Sequence, residues 1–530
     1  MRTLAACALL AGALALAPPA AAATAGREVG SAQAIEIARA DPNVKKEARE
    51  HPELAPTARM VEGHWEVAWF SNGDELALVL VDPHSGEVLE SWTGYQVAWK
   101  MARGYSGAFG HKLNAPYVFL PLCLIFLVGL VDWRRLWRVA NLDLLVLLGF
   151  GVSHFFFNRA EIGVSVPLAY PVLIYLLGRA LWVGLRGRGD GLRPVWPAAW
   201  LVVAALFLMG FRVGLNVVDA GAIDVGYAGV VGADRIAHGE PIYDNFPHDI
   251  ERGDTYGPVN YLAYVPFERI WPWTGHWDDL PAAHAAAVVF DVVVFLLLLL
   301  VGIRIRPGPD GQRLAATLAF GWAAFPYTAY VLESNSNDSL VATLLLATLL
   351  LAARPLARGA TLAAATWAKF VAAPLAPMYL TYQRRWRPAL LFAAGFAAVT
   401  VAALLWPALD PGLRTFYDRT IASQAGRESP FSIWGQEPSL EPIRIGLLVL
   451  TGALSVAFAF VPRRKSPVQL AALSAALLIC LQLTVHHWFY LYIVWFYPLL
   501  LVALAGLEQR PRQPGPAPSP ARRNQPVPAG

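Results

Sequence analysis

The feature that most constrains this chain is the recurrence of almost uncharged apolar runs, each near the ~20 residues that a helix needs to cross a bilayer. Backbone inside hydrocarbon must satisfy its own polar groups, so such runs fold as helices packed on one another. Hydrophobic residues make up 56% of the 530 and charged residues only 15%, too few to clothe a soluble protein of this size. The net charge of +4 is modest and the arginines gather in short loops, which argues against a nucleic-acid-binding face. Cys7 falls in the N-terminal segment, while Cys123 and Cys480 sit inside apolar runs. That leaves neither a disulfide framework nor a cysteine metal site.

The N-terminus reads as a cleaved export signal over residues 1–25. Arg2 supplies the charge, Leu4 to Ala17 the apolar core, and Ala20 to Ala25 the small residues that a signal peptidase requires. Residues 27–112 then read as a small α+β domain. Ala34, Ile35 and Ala38 have helical spacing, whereas Trp65, Val67 and Trp69, and then Leu76, Leu78 and Leu80, alternate. Ser71-Asn72-Gly73-Asp74 between the two runs predicts a hairpin, and a third strand is expected after Asp82-Pro83-His84-Ser85-Gly86. This stretch, with VDPHSGEVLE, resembles the PepSY domain family. A small folded domain of this kind is expected to serve interaction or regulation outside the membrane, with an envelope protein as partner, rather than chemistry.

Arginine and lysine resist translocation, so their positions orient the spans. With the small domain outside, additional spans at 114–132, 140–157 and 165–184 place the Trp133–Arg138 cluster and Arg186, Arg188 and Arg193 in the cytoplasm. Further spans at 196–215, 284–303, 314–332 and 339–353 leave the loop 216–283 and Glu333–Asp338 outside. A single crossing over 359–382 would put Arg384, Arg385 and Arg387 outside, so a re-entrant pair of half-helices broken near Lys369 and Pro374 is expected. Spans at 388–408, 443–461, 467–485 and 488–507 follow. The expectation is an α-helical polytopic protein of the cell membrane with about 11 spans and a disordered cytoplasmic tail over 508–530.

Chemistry is expected in two outer loops. Asp219 and Asp224 lie just past the outer end of the fourth span, where a carboxylate can take a proton from a hydroxyl arriving from water. Loop 409–442 carries Arg414, Tyr417, Arg419, Gln424, Arg427, Ser429, Phe431 and Trp434, residue types suited to a lipid phosphate and a sugar ring and equally to interfacial anchoring. Asp224-Val225-Gly226-Tyr227, His238-Gly239-Glu240-Pro241-Ile242-Tyr243-Asp244 and Tyr256-Gly257-Pro258 follow one another in the first loop. Ser336-Asn337-Asp338-Ser339, Trp367-Ala368-Lys369-Phe370, Arg384–Arg387 and His486-His487-Trp488-Phe489-Tyr490 come later. In order and spacing these resemble the polyprenol-phosphate-sugar glycosyltransferases of the GT-C type over residues 196–507, and more closely the mannosyltransferase-like family 87. The chain departs from that pattern at Gly257, where a proline is usual, and in its extra N-terminal spans and domain.

The resemblance implies a GT-C-like fold and a mannose-like monosaccharide donated by polyprenyl phosphate to a glycan or glycolipid hydroxyl, with inversion. It implies Asp224, with Asp219 as rival, as catalytic base. Arg212, Lys369, Arg414, Arg427, His486 and His487 are the candidates for the donor phosphate. Tyr227, Tyr243, Asp244, Tyr256, Asn337, Asp338 and Trp434 are expected around the substrate. No cofactor or metal is expected. Two other classes stay open: a lipid or small-molecule transporter or flippase, suggested by a lysine in a broken helix, and an inactive transferase-like scaffold.

Overall fold

The computed structural model describes residues 29–61, 63–104, 111–277, 280–423 and 429–507. The expected signal, Arg427 and the tail from 508 fall outside the described residues. The chain divides into two compact units, Met1–Arg103 and Gly104–Gly530.

In the first unit, helices α1 (Ser31–Arg39) and α2 (Pro42–Glu50) precede strands β1 (Ala55–Val61), β2 (His64–Ser71), β3 (Asp74–Val81) and β4 (Val88–Thr93). The strands form an antiparallel sheet in chain order. The expected hairpin is there: Ser71 pairs with Asp74, and Asn72 and Gly73 both take positive φ, 51° and 93°, as a two-residue type I′ turn demands. Alternation does the rest. Val67, Trp69, Val79 and Val81 pack on Ala34, Ala38 and Val44 of the two helices. Ala68 and Leu78 point to the opposite face, onto Val97 of α3 (Tyr95–Ala98). Strand β1 escapes sequence reading because its residues are mostly exposed. The open edge of β2 recruits it through backbone hydrogen bonds, with Pro56 confined to an edge strand. The layout is compatible with the PepSY likeness without identifying it.

The second unit is helical. Its helices are α4 (Pro116–Leu130), α5 (Val139–Leu148), α6 (Phe150–Phe157), α7 (Ile162–Arg186), α8 (Ala198–Asp219), α9 (Asp224–His238), α10 (Pro258–Glu268) and α11 (Pro281–Ile305). Then come α12 (Gly308–Ala324), α13 (Pro326–Glu333), α14 (Asp338–Leu350), α15 (Pro355–Ala368), α16 (Ala376–Leu380) and α17 (Trp386–Leu409). The last are α18 (Leu413–Tyr417), α19 (Ile433–Gln436), α20 (Glu441–Phe460), α21 (Pro467–Gln482) and α22 (Ile493–Ala505). Among the described residues six stretches are long and apolar enough to cross a membrane: Val139–Phe157, Ile162–Arg186, Ala198–Asp219, Pro281–Ile305, Trp386–Leu409 and Pro438–Phe460. Five shorter apolar stretches accompany them, so six rather than the expected eleven meet the length of a full span. Kinks account for part of the difference; Pro326, for example, splits the expected sixth span into α12 and α13.

Apolar residues cover both the inside and the outside of this bundle. Helices α21 and α22 are buried almost throughout, whereas α8 exposes Val203, Phe207 and Val217, and α17 exposes Leu390, Val401 and Leu405. A helix with an apolar outer face needs hydrocarbon as its solvent, which marks a membrane protein.

The segment 355–383 positions the site. Helix α15 stops at Lys369, whose backbone turns extended (φ −141°, ψ 126°), and a 3₁₀ turn over Phe370–Leu375 leads into α16. The break falls where Lys369 and Pro374 predict it. The chain then returns to its starting end, because Gln383 donates to the Ala353 carbonyl at 3.0 Å. Helix α17 next runs along α15.

Candidate functional site

Two antiparallel neighbours of nearly equal length, α14 and α15, bring the first residue of one level with the end of the other. Asp338 opens α14 and Lys369 closes α15, and their side chains form an ion pair. Each charge sits at the helix end whose dipole favours it, an anion at an N-terminus and a cation at a C-terminus. Asp338 is fully buried and also accepts from the Trp495 indole at 2.6 Å and from the Ser336 hydroxyl. Three rings surround the ammonium: Trp495 at 5.1 Å, Tyr256 at 5.3 Å and Tyr492 at 5.7 Å. Tyr492 and Trp495 stack on each other at 4.1 Å. Desolvated contacts of this kind are worth up to about 2 kcal/mol each.

Tyr256 brings the first loop into this cluster. The following residue, Gly257, lies so close to the Trp367 carbonyl that a Cβ there would come within 2.0 Å of its oxygen. The departure from the family pattern at 257 therefore has a physical cause: the loop abuts the end of α15. Burial first, and then the negative charges of Asp224 and Asp338 with Tyr492 between, hold the Tyr256 hydroxyl well above its usual pKa. Asp224 opens α9, exposed, with its carboxylate accepting from the Val225 N–H at 2.9 Å. The base of the same loop is fixed by Asn216, which donates to the Leu332 carbonyl at 2.8 Å and to Asn335 at 2.9 Å. A second clasp ties the loop to the segment after α17: buried Asp254 accepts from Arg419 at 2.6 Å and from the Asp244 N–H at 2.7 Å.

The structure thus gathers Asp338, Lys369 and Tyr256 around one point and places His487 beside it. The His487 imidazole pairs with the Ser429 hydroxyl at 2.9 Å and lies 6.3 Å from the Tyr492 ring. Asn337 donates to Asn260 at 2.7 Å, next to the ion pair. Tyr243 supports Tyr256 by donating to its carbonyl at 3.0 Å. Asp244, at positive φ, adds a 3.7 Å contact to Arg419. Tyr227 is buried, stacked on Trp277 and bonded to Asp249 at 3.1 Å.

Other candidates sit elsewhere. Arg212 is buried in an ion pair with Asp291 at 2.8 Å, with Trp322 donating to the same carboxylate oxygen. Asp219 is engaged by Lys112 through its backbone N–H at 2.7 Å and its ammonium at 3.2 Å. His486 faces Glu441 at 3.2 Å, Trp434 donates to the Leu483 carbonyl at 3.0 Å, and Arg414 is exposed beside Asp418. Arg427 lies outside the described residues. Among the described residues, Glu47, Glu50 and His51 of the first unit have ligand atoms within 4.8 Å of one another, at the C-terminal end of α2.

Sequence reasoning missed Tyr492 and Trp495, and named Ser336 only as part of a motif. The first two carried a signal, since aromatic residues three apart near a helix start share a face.

Residues 255–507 match the model of glycosyltransferase family 87. The match includes Tyr256, Asp338, Lys369, Tyr492 and Trp495 and begins beyond Asp219 and Asp224. No curated protein matches the chain.

Proposed function

We propose, for a chain whose residues 255–507 match the model of glycosyltransferase family 87, that it moves a mannose-like sugar from a polyprenyl-phosphate donor to a hydroxyl acceptor outside the cell membrane. The family marks a glycosyltransferase; donor, acceptor and side are our reading. The observation that carries it is the Asp338–Lys369 pair caged by Tyr256, Tyr492 and Trp495 at the loop that bears Asp224.

In this reading the acceptor oxygen attacks the anomeric carbon as Asp224 takes its proton. The bond from that carbon to the phosphate oxygen breaks, and its electron pair leaves with polyprenyl phosphate. One displacement inverts the centre. Lys369, aimed by Asp338 and the rings, offers its remaining N–H groups to the charge that grows on the departing phosphate, where fixed donors act most strongly. His487, beside the cage, is the second candidate donor. Asp224 is chosen over Asp219 as the base because it opens the Asp224-Val225-Gly226-Tyr227 stretch that resembles the family pattern.

The test is transfer by the purified full-length chain from a radiolabelled polyprenyl-phosphate hexose to a lipid-extract acceptor. Labelled product with no movement of donor across proteoliposomes supports the enzyme. Movement without product would select the transporter, which the broken helix at Lys369 also suits, and neither would select a scaffold. Cysteines placed at Gly275 and Arg188 test the side: an impermeant reagent applied to intact cells should label the first and not the second.

A further inference from the structure

Between Asp338 and Asp410 the chain has no acidic residue, yet it carries Arg354, Arg358, Lys369, Arg384, Arg385 and Arg387. Lys369 is matched by Asp338. Arg358 has no acidic partner among the described residues. It is fully buried, lies 5.5 Å from both the Tyr382 and the Phe392 ring centroids, and spends one N–H on the Ala352 carbonyl. Its Nε and Nη2 have no partner among the described residues. A buried guanidinium without a carboxylate costs several kcal/mol, and nothing among the described residues offsets it.

The second observation is a groove. Helices α15 and α17 touch through glycines: a Cβ on Gly359 would meet the Phe392 carbonyl oxygen at 2.1 Å, and one on Gly395 the Leu356 oxygen at 2.1 Å. That contact seats Phe392 against the guanidinium. On its other side Phe392 lines an apolar groove of about 340 Å³ between α16 and α17, with Pro377, Leu380, Ala393, Phe396 and Ala397. The groove opens beside exposed Leu390 and Leu391, on the outer face that needs hydrocarbon as its solvent.

We propose that this is a lipid site: the phosphate of an anionic bilayer phospholipid pairs with Nε and Nη2 of Arg358, and one acyl chain lies in the groove. Half-buried Tyr382 covers the guanidinium and turns aside to admit the phosphate. A phosphate diester supplies the anionic oxygens that the planar fork needs, and the chain supplies apolar surface that free phosphate lacks. The site lies at the end of α15 opposite Lys369 and is independent of the transferase reading.

The experiment is thermal unfolding of the full-length chain in a neutral maltoside detergent, with phosphatidylglycerol, inorganic phosphate or farnesyl phosphate added. Phosphatidylglycerol should raise the melting temperature by at least about 2 °C, and inorganic phosphate should not. Arg358→Met should abolish the rise while melting no lower than wild type without lipid. Ala393→Phe, which fills the groove and keeps the charge, should also abolish it. An equal rise with inorganic phosphate would reduce the site to a free-anion site and overturn the proposal. A larger rise with farnesyl phosphate than with phosphatidylglycerol would overturn the choice of lipid. A full lipid response in either variant would do the same to the site itself. Should Arg358→Met fail to fold, Ala393→Phe decides alone.

Discussion

Helix α15 carries a buried cation at each end, about 16 Å apart along its axis, and the two have opposite circumstances. Lys369 meets an acid, an indole donor bound to the same acid, and three aromatic faces. Arg358 meets two rings and one carbonyl. The difference follows from chain geometry. The antiparallel run of α14 and α15 levels Asp338 with Lys369, whereas Arg358 falls opposite the C-terminal end of α14, where the sequence offers no acid and the Ala352 carbonyl takes one N–H. Burying a charge needs compensation. One end carries it within the fold, as a closed polar cluster beside the loops; the other leaves it to the surroundings.

The largest effect tests whether the chemistry belongs to the Lys369 end. Asp224→Asn keeps the shape of the side chain and removes the proton acceptor, so transfer should fall about 10²- to 10⁴-fold, with membrane insertion unchanged. Asp219→Asn should cost less turnover, since its main loss is the contact to Lys112. Steady-state rates of both variants check this; a reversed order would move the base to Asp219.

The next effect contrasts the two cations directly. Lys369→Met strands a fully buried Asp338 carboxylate and should cost about 3–5 kcal/mol of stability. Adding Asp338→Asn should recover most of that loss in the melting curve while turnover stays low. Arg358→Met strands nothing, so its lipid-free melting temperature should hold or rise. If Lys369→Met melted like wild type, the ion pair would not exist in solution and the contrast would collapse.

How much of this was legible in the sequence depends on reach along the chain. The Asn72-Gly73 hairpin, the α1 pattern and the helix break at Lys369 are local, and each is where the residues place it. Lys369 by itself reads as a donor-phosphate candidate at a break in a helix. Its partner lies 31 residues away, and only the matched lengths of α14 and α15 reveal it. Arg212 likewise reads as a phosphate ligand until Asp291, 79 residues on, is seen to hold it. Strand β1 was hidden for another reason: its own residues are mostly exposed and give only a weak apolar alternation, and the neighbouring strand organises it.

A smaller change sharpens what the cage does. Trp495→Phe keeps a ring over the ammonium and removes the indole N–H that fixes Asp338, an interaction with a charged acceptor worth about 1.5–3 kcal/mol. The ion pair should survive with looser geometry. A donor KM near wild type with a lower kcat would mark Trp495 as a positioning residue. Unchanged melting and unchanged kcat would leave it as packing.

The smallest effect concerns Arg414, a cation with neither the closed cluster of Lys369 nor the burial of Arg358. Its side chain is 93% exposed and its one ion pair, to Asp418 one helical turn on, spans 3.6 Å. Solvent screens such a contact, so Arg414→Ala should change stability by less than about 0.5 kcal/mol. That makes it a clean probe of binding. If exposed arginines of this loop draw the donor phosphate by long-range attraction alone, donor KM should rise modestly and the rise should fade as salt increases. A rise that persisted at high salt would require direct contact in a water-poor site, and Arg414 would then join Lys369 among the proposed phosphate ligands. No change at any salt would leave Arg414 as an interfacial residue and confine the electrostatics of the reaction to charges that the fold buries.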